Sequence, residues 1–409
     1  MTTDTLPKGW TDVALGDLCS DVRSGFASGD DLEEGVLQLR MNNVSAAGRM
    51  NFDKQRRVGA DDKQLRTFSL VPGDVLFNAT NSAEMVGKTA LFTGREEPVV
   101  FSNHFLRLRC EPATLDPAYL ARWLTLQFER RVFEHGCRRW VNQATYDKPT
   151  LLGLRLPLPP IEEQRRIAAV LDQADELRAN RRAALALLDT LTEAIFLDMF
   201  GDPMANTRGW DRVPMRSAIE RIESGNSPVC LPHPPTPGEW GVLKLGAVTT
   251  ARYRDTQSKA LPLGSPYDPS DEVHSGDLLF SRKNTLDLVG ASAYVWSTRP
   301  RLLLSDLIFR LVPSPHRIIH PVYLHQLLTY GPKRREVQRL AGGSAGSMPN
   351  ISKARLLEFP IEVPPISLQE TFAGAAGRIE QQRVHRLRAE ATNDELFASL
   401  QQRAFRGEL

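Results

Sequence analysis

The chain contains itself twice. Gly9-Trp10 returns as Gly209-Trp210, Gly73-Asp74-Val75-Leu76-Phe77 as Gly276-Asp277-Leu278-Leu279-Phe280, and Pro159-Pro160-Ile161 as Pro364-Pro365-Ile366. The offsets are 200, 203 and 205 residues, so order and spacing persist while most intervening residues differ. Such a duplication restricts the chain to two similar globules. A shared frame with variable contents suggests one device that reads two different things.

At 409 residues the chain can give each half its own core. Hydrophobic residues at 41% and charged residues at 24% place it among ordinary globular proteins. Cys19, Cys110, Cys137 and Cys230 form no CxxC pair and read as free thiols of a reducing cytosol. The N-terminus lacks the basic and apolar regions of a signal peptide, and no apolar run approaches membrane-spanning length, so a cytoplasmic protein with no membrane partner is expected. The 51 Lys and Arg against 49 acids leave a net charge of +2, a balance that can still hide a basic face. Arginine doublets recur at Arg56-Arg57, Arg130-Arg131, Arg138-Arg139, Arg165-Arg166 and Arg334-Arg335.

Each half opens on Gly-Trp and continues through a segment ending in Ser24-Gly25 or Ser224-Gly225. Period-two alternation predicts strands at 35–40 and 241–246, with further β-rich runs at 74–77, 99–108, 277–280 and 302–312. Helices are expected over 117–134 and 321–340, each opening on a proline suited to the first turn. The character then changes. From Ile161 to Phe200 there is no Gly or Pro, and apolar residues recur at helical spacing (Ile167, Leu171, Ala174, Leu177, Ala184, Leu188, Leu191, Ile195). The second half repeats this from Ile366 to Phe405, apart from Gly374 and Gly377. A helix of that length extends roughly 60 Å, and two in one chain suggest an antiparallel coiled coil, with Arg178 and Arg181 interrupting its seam. The fold class is therefore α+β: two homologous mixed α/β globules and two long helices, related by a pseudo-two-fold repeat.

Most candidate chemistry fails on inspection. Ser82-x4-Gly87-Lys88-Thr89 lacks the first glycine of a phosphate loop, and its counterpart Val289-Gly290-Ala291-Ser292 lacks the lysine. Asp61-Asp62-Lys63 has no Pro-Asp partner and no equivalent in the second half. The eight histidines form neither HExxH nor a Cys/His zinc pattern, and no nucleophile elbow or dinucleotide fingerprint occurs. No catalytic, metal or cofactor site is expected in this chain.

Polar and basic residues at matching places remain. Asn78, Thr80, Asn81 and Lys88 answer to Ser281, Arg282, Lys283 and Asn284 after the Gly-Asp strand. Asn142, Gln143, Tyr146 and Lys148 answer to Ser344, Ser347, Asn350 and Lys353 before the double proline. A third group, Arg40, Asn42 and Asn43, is placed on the first strand, against Lys244. Asn and Gln suit adenine edges, Arg and Lys suit guanine edges or phosphate, so these residues are candidate DNA contacts. Homology alone also preserves fold-stabilising polar residues, Asn350 among them.

Taken together these segments resemble the specificity subunits of type I restriction–modification systems. The resemblance rests on the Gly-Asp-(Val/Leu)-Leu-Phe strand with Val86-Gly87-Lys88 downstream, on Asn142-Gln143-x-x-Tyr146 and Pro349-Asn350-Ile351, and on Pro157-Leu158-Pro159-Pro160-Ile161-Glu162-Glu163-Gln164 leading into a long helix. The helix ends, Ala194–Pro203 and Arg403–Leu409, add to it. Ile366-Ser367-Leu368-Gln369 lacks the acidic pair, a departure confined to contacts at that helix start. The resemblance implies target recognition domains over 1–158 and 204–363 and spacer helices over 159–203 and 364–409. It implies a reader of a split, asymmetric site in double-stranded DNA, with the helices as a ruler, and two methyltransferase subunits docked on the exposed helix faces. S-adenosylmethionine, ATP and Mg would belong to those subunits and to restriction/translocase subunits, not to this chain. A modification-only assembly, or a coiled-coil scaffold whose globules bind protein, stays open at this point.

Overall fold

The computed structural model describes residues 6–141, 143–316, 318–342 and 348–409. They fall into two compact units, Met1–Arg182 with Ala389–Leu409, and Ala183–Arg388. Among the described residues no helix is long and apolar enough to cross a membrane.

In the first unit a four-stranded antiparallel sheet runs in the order Cys19–Ser24, Phe105–Cys110, Val75–Asn78, Thr89–Leu91. A three-stranded sheet places Val36–Leu39 between antiparallel Arg57–Val58 and parallel Val99–Phe101. Leu37, Leu39, Leu76, Phe101 and Phe105 fill the space beside these sheets, each fully buried or nearly so. The helix Pro117–Glu129, capped by the Asp116 carboxylate on the Ala118 and Tyr119 N–H groups, covers the other face of the larger sheet.

Two sequence expectations need correction here. The run 99–108 is two strands in different sheets, separated by a turn in which the Phe105 N–H donates to the Ser102 carbonyl at 3.0 Å. Both strands are buried on both faces, which erases the alternation that would have marked the break. The expected helix over 117–134 ends at Glu129, because Arg131 adopts a left-handed φ of 59° before a short helix, Val132–Gly136.

The second unit repeats the plan. Its larger sheet runs Ile219–Ser224, Ile308–Pro313, Leu278–Ser281, Ser292–Tyr294, and its smaller one Ser258–Ala260, Gly241–Leu243, Leu302–Leu303. The run 302–312 breaks as its counterpart does, with Ile308 N–H on the Ser305 carbonyl. The expected helix over 321–340 divides into Pro321–Thr329 and Gly331–Arg339, where Pro332 removes a backbone donor.

The long helices are Ile161–Phe200 and Ile366–Ala404. Within the first unit the start of one packs against the end of the other: Arg182 pairs with Glu390 at 2.9 Å and Arg178 with Asp394 at 2.7 Å, an antiparallel register. Arg178 also lies 4.2 Å over the Phe397 ring, so the arginine that breaks the heptad makes the helix–helix contact itself. Within the second unit the contact is aromatic instead. Phe196 and Phe200 pack on Phe372 at 5.7 and 5.6 Å, and Phe200 meets Tyr323 at 4.7 Å. Each such buried ring contributes about 1.5–3 kcal/mol by area alone.

Candidate nucleic-acid interface

Both units build a short ribbon at the end of the Gly-Asp strand. In the first, Thr80–Asn81 pairs with Ala144–Thr145, which pairs in turn with Arg138–Arg139. In the second the ribbon is reduced to two bridges, Lys283 with Asn350 and Asn350 with Gly342. The attachment is the same in both. Tyr146 N–H donates to the Ala79 carbonyl at 2.9 Å, and Ile351 N–H to the Arg282 carbonyl at 2.8 Å. Beneath each ribbon a glycine turns the chain: Gly87 at φ +94° and Gly290 at φ +76°. A Cβ on Gly87 would lie 2.2 Å from the Phe133 ring, and one on Gly290 would lie 2.8 Å from Val337. The Val-Gly signature therefore serves close packing and not phosphate binding.

The predicted contacts separate into three groups. Arg40, Thr80, Asn81, Lys244, Arg282, Lys283 and Asn350 are half-buried, while Asn42 and Gln143 are exposed. These lie where a ligand could reach them. In the second unit the Arg282 guanidinium bonds the Asn350 Oδ1 at 3.2 Å and lies over Phe309 at 5.2 Å. Lys148 and Lys353 are exposed, yet each ammonium donates to a backbone carbonyl of an edge strand, Val22 and Ile222 respectively.

Six candidates belong to the framework instead, and the expectation that they contact DNA is corrected. Asn43 is buried, accepting from the Arg40 N–H and donating to the Asn51 and Lys54 carbonyls. Asn78 is buried, donating to the Thr80 and His104 carbonyls and accepting from Asn81. The Lys88 ammonium is held by the Met41 and Val44 carbonyls at 2.7 and 2.6 Å, with burial pulling its pKa down. Tyr146 sits 5.1 Å from Phe133 and 6.0 Å from Phe77 in an aromatic cluster. Ser281 and Asn284 are buried beneath the second ribbon, where the Ser281 Oγ and Asn284 Nδ2 find no partner among the described residues. Asn142, Ser344 and Ser347 lie outside the described residues.

Other residues join the first surface without a sequence signal. His104 lies in the turn between the two sheets, its carbonyl accepting from the Ala79 and Thr80 N–H groups. Burial, then the charge of Arg40, push its pKa below the ordinary range, so the imidazole is neutral near pH 7. At the ribbon tip Trp140 and Val141 are 72% and 99% exposed, beside the exposed Arg138 and Arg139. Among the described residues no cluster of His, Cys, Asp and Glu could hold a metal ion.

Residues 7–187 match the family model of the type I restriction modification DNA specificity domain. The type I restriction enzyme EcoEI specificity subunit of Escherichia coli is 36% identical over 165 residues, 39% of this chain and 27% of that protein. A putative type I restriction enzyme MjaX specificity subunit of Methanocaldococcus jannaschii is 27% identical over 244 residues, 59% of this chain and 53% of that relative. Thus the matched regions span 27% and 53% of those relatives' lengths. In fold, the S subunit of a type I restriction–modification system from M. genitalium superposes with a TM-score of 0.62 at 14% identity, covering 99% of this chain and 98% of that one. A chain from a study of type I R-M complex assembly and conformational transition gives 0.56 at 18% identity, covering 99% and 100%.

Proposed function

We propose that this chain, which carries a type I restriction modification DNA specificity domain at residues 7–187 and has the fold of type I specificity subunits, is the DNA-recognition subunit of such a system. One observation supports this above the others: two ribbons mounted identically present different side chains. One carries the exposed Arg138, Arg139 and Gln143 with the half-buried Thr80 and Asn81, and the other the half-buried Arg282, Lys283 and Asn350. A duplicated mount with altered contents is what reading two unlike half-sites requires. Asn, Gln and Arg are side chains suited to base edges in a major groove.

On this reading each unit meets one part of a split site, and the long helices fix the gap in units of the DNA repeat. Two methyltransferase subunits dock on exposed helix faces, where Leu177, Leu187, Leu191, Leu387 and Leu396 stand open to solvent. Those partners supply S-adenosylmethionine and flip the target adenine, since its amino group is inaccessible within a stacked duplex. Restriction subunits with ATP and Mg complete the assembly. This chain supplies sequence specificity and performs no bond-making of its own.

The test is methylome sequencing of a host expressing the chain with its methyltransferase partner, against the same host lacking only this chain. The expected result is a two-part motif methylated on both strands that disappears with the chain. A methylome that does not change on deletion rejects the reading.

A further inference from the structure

We infer that Trp140 and Val141 form an apolar wedge that enters duplex DNA between two stacked base pairs, in the first half-site only. This rests on the DNA-recognition reading and deepens it. Among the described residues no other aromatic side chain is as exposed as Trp140, at 72%, and Val141 beside it is 99% exposed. Leaving an indole in water forfeits the burial that normally holds such a residue inside a protein. Here the side chain stands at the end of a built support. Arg138 and Arg139 pair with Thr145 and Ala144, Ala144 is buried, and the next strand, Thr80–Asn81, closes the ribbon. The Trp140 N–H donates to the Gln143 carbonyl at 2.7 Å across the tip. Tyr146 then locks the base of the ribbon into the Phe77–Phe133 cluster.

The choice of occupant follows from size and charge. Two apolar residues offer far less surface than the roughly 800 Å² per partner of a stable protein interface. They do match one base step, whose flat faces an indole can cover. Arg138 is 78% exposed, its guanidinium 3.5 Å from the Asp147 carboxylate, and Arg139 is also exposed, so two cations stand beside the tip where phosphates would flank an inserted side chain. The same surface continues through Thr80 and Thr145, whose hydroxyls lie 3.4 Å apart, to the Arg40–His104 pair.

The second ribbon differs in kind. Between its paired positions Gly342 and Asn350 the sequence reads Gly-Ser-Ala-Gly-Ser-Met-Pro, with no aromatic residue. The indole is therefore confined to the first ribbon, and the apolar residue that the second offers is Met348, 45% exposed. The first half-site should favour a step that unstacks easily, such as a pyrimidine–purine step, at a position read by deformability and not by hydrogen bonds.

The experiment uses the full chain assembled with its methyltransferase partner and duplexes carrying the methylome-defined site, with 2-aminopurine placed in turn along each half-site. Wild-type complex should raise the fluorescence at one step of one half-site. Trp140→Ala should abolish that rise and weaken binding about ten-fold, the scale of one lost base–aromatic stack. Trp140→Phe should restore both. Because Trp140 is exposed, all variants should show unchanged thermal unfolding. A Trp140→Ala complex with wild-type affinity and wild-type fluorescence overturns the wedge. So does a variant that no longer co-purifies with the methyltransferase, which would assign the tip to a protein partner. A wild-type complex that binds no duplex specifically rejects the recognition reading itself, and the wedge with it.

Discussion

Gln164 and Gln369 make the same three hydrogen bonds at equivalent places in the two units. Gln164 accepts the Asp116 N–H at 2.8 Å and donates to the Thr114 and Pro159 carbonyls at 2.9 and 2.8 Å. Gln369 accepts the His320 N–H at 2.8 Å and donates to the Ile318 and Pro364 carbonyls at 3.0 and 2.7 Å. Both side chains are fully buried. Losing the acidic pair in the second half therefore leaves this part of the helix start intact. The glutamine ties each long helix to the loop that precedes the neighbouring globular helix. In parallel, the Tyr119 and Tyr323 hydroxyls bond the Pro157 and Glu362 carbonyls on the strand leading into it.

Replacing Gln164 or Gln369 by Leu should strand one N–H and two carbonyls away from water. At about 1–3 kcal/mol for each unsatisfied group, a loss of about 3 kcal/mol or more is expected. Denaturant unfolding of the full chain would show it as a lower midpoint for the affected unit. An unmoved midpoint would mean that water replaces the amide.

Lys88→Met should destabilise the first unit by about 2 kcal/mol, since the Met41 and Val44 carbonyls lose their donor. DNA affinity and its salt dependence should stay as they were. Lys283→Ala should do the reverse, leaving stability alone and reducing the salt slope by about one. Unfolding curves and binding isotherms across a salt series separate the two. A flattened slope with Lys88→Met would return that residue to the interface.

The second unit buries an ion pair, Lys333 with Glu362 at 3.0 Å, both essentially inaccessible, with Arg212 on the same carboxylate at 2.9 Å. Lys333→Met leaves a buried carboxylate with only the half-exposed Arg212, and should cost about 3–5 kcal/mol. Substituting both residues, as Lys333→Met with Glu362→Leu, should recover much of that loss. If the double variant is no better than the single, charge isolation is not the cause.

His325 lines a cavity of about 380 Å³ in the second unit, together with Asp189, Glu193, Arg252, Glu380 and Arg383. Burial, then the Arg252 charge, push its pKa down to about 4. The unfolded chain protonates this imidazole first, near its ordinary value of about 6.5. Stability should therefore be complete above that pH and fall as pH drops toward 4. His325→Gln should remove this part of the acid sensitivity, seen in thermal unfolding at pH 7 and pH 5. Equal pH dependence in both proteins would show that His325 gains its proton at no expense.

The repeat made the two-unit plan and both long helices legible in the sequence, because glycine, proline and the helical period survive any change of context. Buried strands were less legible. In the runs 99–108 and 302–312 the strands on either side of the break are buried on both faces, so period-two alternation does not separate them, and only the short polar insertions Ser102-Asn103-His104 and Ser305-Asp306 mark where the chain leaves one sheet for the other. Candidate contacts were the least legible. Asn43, Asn78 and Lys88 have the residue types of a DNA surface, but their partners are backbone carbonyls distant in sequence. Trp140 carried the opposite ambiguity, an apolar residue that reads as core until its ribbon is seen to end in solvent.

The composition of the two units also sets an order of events. The second is one stretch, Ala183–Arg388, whereas the first combines Met1–Arg182 with Ala389–Leu409. On the ribosome, then, the second globule can close while the first still waits. Its missing pieces include Phe397, Ala404 and Phe405, all buried in its core, with the Phe405 ring 5.1 Å from Tyr119. The part begun first is finished last, and a synthesis stopped just after Arg388 would yield a closed second unit and an open first one.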